Sequence, residues 1–191
     1  MIAPASLRRR VALVASALLV AAPLGGCIMP APVPPTAPTA PSGPSGPPDP
    51  TDLDLELLAL EHHDAWGDAL VATVDAAADG VETMANVDPL ATREAAMPEV
   101  STLLALLGSG QRLVAYADAV DATVRSRALP AFEVLLCVDP TTLRYDDLEG
   151  SPMDLEFDGP WPMVVGYEHR DDELPLMTSV ALDPALSDSC G

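Results

Sequence analysis

Between residues 30 and 50, ten of 21 positions are proline, and the remainder are almost all Ala, Thr, Ser, Gly or Val. Proline has no backbone N–H and a fixed φ, so neither a helix nor a sheet ladder propagates through such a stretch. Its side chains also offer too little apolar surface to offset the entropy of ordering. The segment is a linker. Prolines at this density favour extended polyproline II at ~3.1 Å per residue, a reach of up to ~65 Å. The linker separates a short N-terminal piece from residues 51–191, a stretch of 141 residues that suffices for a single domain with its own core.

The N-terminal piece starts with Arg8, Arg9 and Arg10, continues with a 14-residue apolar run over 11–24, and contains no acidic residue up to Gly26. A basic start followed by a short apolar run is the layout of an export signal. The run falls short of the roughly 20 residues a spanning helix needs. It ends in Leu24-Gly25-Gly26-Cys27, which resembles the lipobox of bacterial lipoproteins. That resemblance covers the export signal alone. It implies a signal peptide over 1–26, lipid (palmitate-type acyl chains and a diacylglycerol) on Cys27, and a mature chain that starts there. Several acyl chains at ~0.8 kcal/mol per buried CH₂ give stable anchoring, where one chain is marginal. Ile28 stands where aspartate would resemble an inner-membrane retention signal, which implies the outer membrane in a cell that has one. The general secretory route is expected, since Arg9-Arg10 is followed by Val11 and Ala12 rather than by the bulky apolar residue of twin-arginine signals.

From Cys27 onward six arginines face 29 acidic residues, a net charge of −23, and the whole chain has no lysine. Binding to nucleic acid or to anionic headgroups depends on Lys and Arg displacing counterions, so nucleic-acid binding is excluded as a function class. Aromatic residues are few and all lie beyond residue 50, which leaves Leu, Val and Ala to build the core. With Cys27 assigned to lipid, Cys137 and Cys190 are the remaining thiols, and in an exported chain they are expected to pair. Neither has a His or Cys at metal-ligand spacing.

Hydrophobic periodicity predicts a mainly α fold. Asp52 is placed as an N-cap, and Leu55, Ala59, Trp66, Leu70, Ala77, Val81 and Met84 fall on one helical face, with Glu61, Asp64, Asp68, Asp75, Asp79 and Glu82 opposite. Asp88-Pro89 reads as a second helix start, interrupted at Pro98 and ended by Gly108-Ser109-Gly110. Leu113, Tyr116, Ala117, Val120 and Val124 suggest a third helix over 111–127. Short links between amphipathic helices favour antiparallel neighbours. Residues 51–128 are therefore expected to form a small up-down helical bundle. Residues 129–191 are expected to be an irregular lobe with a few short strands, around 163–167 and 177–182. Residues 132–138 stay open as strand or last helix, and Asp139-Pro140 reads as the start of a short helix ending near Gly150.

Chemistry-bearing motifs are sparse. Glu61-His62-His63-Asp64 is the one local group of metal-ligand types, but adjacent helical residues diverge by 100°, so His62 and His63 do not grip one ion together. Both read as edge-of-core residues with a polar tip exposed, and His169 is the remote candidate that would complete a metal site. Met84 or Met97 would have to serve a haem, and no CxxCH is present. The acidic run Asp146, Asp147, Glu149, Asp154, Glu156 and Asp158 misses the EF-hand template, because taking Gly150 as the sixth loop position puts Tyr145 at the first. There is no GxSxG elbow and no phosphate-binding glycine loop. No catalytic residue and no cofactor is expected. The reading is a membrane-anchored, extracytoplasmic envelope lipoprotein, non-enzymatic, engaging an envelope protein or polymer. Its alternative is a ligand or metal carrier using His62, His63, His169 and nearby carboxylates.

Overall fold

The computed structural model describes residues 49–190 apart from 82, 83, 158 and 172, and these belong to one compact unit, Gly46–Gly191. The export signal, Cys27 and most of the linker lie outside the described residues, as do Glu82 and Asp158. The architecture is α/β and not the expected helical bundle. Two long helices, α1 (Asp52–Ala78) and α2 (Arg93–Gly108), precede six strands: β1 (Gln111–Ala115), β2 (Asp118–Ala128), β3 (Ala131–Asp139), β4 (Arg144–Asp147), β5 (Trp161–Glu168) and β6 (Leu176–Leu182). All pairings between strands are antiparallel, in a four-stranded sheet of order β2-β3-β5-β6 and a separate β1-β4 pair.

Thr51, not Asp52, caps α1. Its side chain accepts from the Asp54 N–H while Asp54 accepts from the Thr51 N–H, a reciprocal capping box. The helix closes at Asp79. Gly80 takes φ +74, its N–H reaches Ala77 O, and that of Val81 reaches Ala76 O, the Schellman pattern that only a residue free of Cβ strain adopts readily. The buried face runs through Leu55, Ala59, Trp66 and Leu70, as the periodicity implied, and on to Val74, whereas Ala77 is only half-buried and Val81 and Met84 fall outside the helix. Asp88-Pro89 is a turn; Thr92 caps α2, which runs through Pro98.

The third expected helix is two strands. β2 carries bulges at 119–121 and 124–126, each adding one residue against β3. With Ala117, the inward residues of this stretch are Ala119, Ala122 and Val124. An alternation lengthened by one residue at the first bulge spaces them by two, three and two, seven in all, which matches two helical turns. The first bulge thus let Ala117 and Val124 count as one helical face, while Val120, counted with them, is 62% exposed.

β3 is the centre of the core. Phe132, Val134, Leu136 and Val138 face the helices beside Val165 and Tyr167 of β5, and Phe132 stacks on Tyr167 at 5.2 Å. Leu135 and Cys137 face the other way, yet are only 7% and 3% exposed. The C-terminal 3₁₀ helix, Pro184–Cys190, packs against the sheet and is tied to it by the Cys137–Cys190 disulfide. Covering both faces turns the strand into a continuous apolar run, which is why period alone left it ambiguous. The short helix expected from Asp139 is one 3₁₀ turn, Pro140–Thr142, before β4.

No residue of the C-terminal 3₁₀ helix is itself buried, so the disulfide is its principal tie. Cys190→Ser should lower the free energy of unfolding by ~4 kcal/mol in the loop-entropy account. It should also bring the Leu186 amide, now bonded to Asp183 O, to the exchange rate of an open loop. Denaturant titration and hydrogen exchange check both.

Candidate functional site

α1 lies across β2, and α2 contacts α1, β1 and β6. Where α1 meets the link between β1 and β2, Gly67 gives the closest approach. A Cβ built there would sit 2.9 Å from Tyr116 Cβ, so only glycine lets the tyrosine lie against the helix. Tyr116 then reaches across to α2, where its hydroxyl donates to Glu99 Oε1 at 2.5 Å, while Trp66 Nε1 donates to Glu99 Oε2 at 3.0 Å. One carboxylate accepts from α1 and from the β1–β2 link, which ties three segments together. Burial first, and then the charge of Glu99, holds the Tyr116 phenol well above its ordinary range, so it stays a donor. The same two causes raise Tyr145.

His63 sits beside this group, its ring 5.4 Å from that of Tyr116, with Nε2 2.8 Å from Ala117 O. A carbonyl only accepts, so Nε2 carries the proton. His62 does the same about 100° round α1: Nε2 donates to Leu90 O at 2.8 Å and the ring meets Tyr167 edge-on at 5.0 Å. At 1% and 4% exposure neither histidine shows the free polar tip expected from sequence, because each spends it on a backbone carbonyl. The two point to different elements. His169 joins neither of them within hydrogen-bonding distance. It lies in a smaller cleft with Glu61, Arg170 and Glu173, its Nε2 3.9 Å from Asp171, and its buried Nδ1 makes no hydrogen bond. Met97 is exposed, and Asp147 is committed to the Glu149 and Ser151 amides of its own turn. Among the described residues no three His, Cys, Asp or Glu side chains are grouped to hold a metal ion.

A broad concave feature begins at His63 and Tyr116. It is a cleft of about 580 Å³ between α1 and the chain 114–118, with Gly67, Val71, Ala72 and Val114 along it and Asp64, Asp68 and Asp118 beside them. Val71, Asp75 and Val114 also line a second cleft of about 520 Å³, which continues beneath the turn after β4 and includes Leu107 and Leu148. The two adjoin through these shared residues as a groove beside α1. Its one arginine, Arg112, donates from Nε at 3.0 Å and Nη2 at 2.8 Å to Asp75 Oδ1.

Glu99, Gly67 and the Trp66–Tyr116 pairing were not anticipated from sequence. A signal was present: Glu99 falls between Ala96 and Leu103 on the buried stripe of α2, where a carboxylate needs donors. No protein-family model matches the chain, and no curated protein matches it in sequence. Among the described residues no helix is long and apolar enough to cross a membrane.

Two outcomes follow. Glu99→Ala leaves the Trp66 N–H and Tyr116 O–H without an acceptor, at about 1–3 kcal/mol for each stranded donor, so chemical denaturation should show a loss of several kcal/mol. His62 is held below its ordinary pKa of 6.5, chiefly by burial. The unfolded chain therefore takes up a proton below pH 6.5 that the fold refuses, and stability falls from there down to the lowered folded pKa. Asp54 and Asp139 are held below 3.8 by hydrogen bonds from Thr51 and Thr141, so their contribution is present above that value and lost beneath it. His62→Gln retains a donor for Leu90 O and removes the titration. Thermal melts between pH 6.5 and 5 should slope less steeply for this variant than for wild type.

Proposed function

We propose that the protein is a membrane-anchored, extracytoplasmic lipoprotein of the cell envelope and that its folded domain is a non-enzymatic interaction module. The lipobox-like Leu24-Gly25-Gly26-Cys27 supports the anchor, and the proline-rich 30–50 supports a spacer that carries a strongly acidic domain clear of anionic headgroups. The observation that carries the module reading is the long open groove beside α1. Its inner wall favours binding over chemistry. There His63 Nε2 and the Tyr116 hydroxyl already donate to Ala117 O and to Glu99. The partner is an envelope protein or polymer. The groove lies on a different side of the sheet from Thr123, which is exposed and shares the outer face with Leu135.

A photo-crosslinking amino acid placed at Val114 in the native host should yield a discrete adduct in the membrane fraction, and one at Thr123 should not. Cys27→Ala should move the protein and its adduct out of that fraction. Equal labelling from both positions, or none from Val114, would remove the groove as the working surface, whereas unchanged membrane association of Cys27→Ala would remove the anchor.

A further inference from the structure

Resting on the module reading above, we infer that the groove receives an extended peptide segment of a partner protein that alternates apolar and cationic side chains. The groove is open and carries apolar side chains among its polar ones. Val114 is 37% exposed and Leu148 70% exposed, and both border a groove that also contains the half-buried Val71 and Leu107. The charge along it has one sign. Asp64, Asp68 and Asp118 flank the first stretch, Asp146, Asp147 and Glu149 the second, and the guanidinium of Arg112 is already taken by Asp75. Apolar side chains and anionic border together match a chain whose alternate side chains point down and whose others reach outward with positive ends.

Length selects a peptide over a small cation. The groove follows α1 from His63 to Ala78, and at 1.5 Å per residue this is ~22 Å. At ~3.3 Å per residue, an extended strand of about seven residues fills it. Arg112 shows locally how a cation is accommodated, since it leaves strand β1 and sets two N–H groups on a carboxylate of α1. Other occupants fit less well. The linker 30–50 has no cationic residue, and a second copy of this lysine-free, strongly acidic chain brings like charge to like charge.

The test measures fluorescence anisotropy of a labelled heptapeptide alternating lysine and valine, titrated with the purified full-length protein at about 0.15 M salt. The wild-type protein should bind it, and the glutamate–valine counterpart should not bind. Replacing Asp64, Asp68 and Asp118 together by Asn should weaken binding by about ten-fold or more, because each exposed pair contributes modestly and three act together. A control of equal charge change away from the groove, Glu94→Gln with Asp121→Asn and Asp154→Asn, should weaken it less than about three-fold by loss of long-range attraction alone. Val114→Ser, which changes no charge, should weaken it by a few-fold through lost apolar contact. Equal losses in the two triple variants would show attraction to net charge and overturn the inference. So would spermine displacing the peptide at equal concentration, or absence of binding. If Val114 crosslinks in the host to a partner that lacks basic segments, the interaction module stands and the cationic peptide falls.

Discussion

Glu99 is a carboxylate half-buried on a helix face made otherwise of Ala96, Val100 and Leu103. Its desolvation is offset only because Trp66 on α1 and Tyr116 after β1 both donate to it. That requirement sets the relative placement of three segments far apart in sequence. It also depends on Gly67, since any larger residue would push Tyr116 off the helix. The groove that begins at Tyr116 exists because these contacts fix where β1 runs relative to α1. Removing a charged acceptor from two buried donors costs more than any single exposed ion pair on this surface supplies.

The rest of the fold follows from covering the sheet twice. α1 supplies the inner cover with Leu55, Ala59, Leu70 and Val74 over β3 and its neighbours. The C-terminal 3₁₀ helix supplies part of the outer cover, against β5 and held by the Cys137–Cys190 disulfide. A bond of this kind persists where the compartment is oxidising. A short 3₁₀ segment with no buried side chain of its own would otherwise have little to keep it docked. Segment 90–92 extends the sheet beyond β6 through Thr92 N–H to Met177 O and Met177 N–H to Leu90 O, and His62 adds its proton to the same Leu90 carbonyl.

The two histidines show how residue type underdetermines role. From sequence, His62 and His63 were the natural ligand candidates, and their divergence around the helix was correctly derived from a 100° step. What each one meets was not derivable. Leu90 is 28 positions from His62 and Ala117 is 54 from His63, and contacts at that separation arise only when the elements pack. The result is two imidazoles that each donate from Nε2 to a backbone carbonyl within the interior.

The sequence by itself determined the strongly acidic charge, much of the buried face of α1, and the pairing of Cys137 with Cys190. Those rest on local composition, on a single uninterrupted period, or on a count of available thiols. The tertiary structure alone decided that residues 111–128 are strands. The first bulge had set Ala117 and Val124 seven apart, a helix-like spacing, and pairing with β3 overrode the periodic signal. It also decided that 132–138 is a central strand, because only the folded chain shows covers on both its faces. The groove belongs to the same class. Its walls come from α1 and from the chain around β1, and no local pattern reports the gap between two elements until both are packed on the same core.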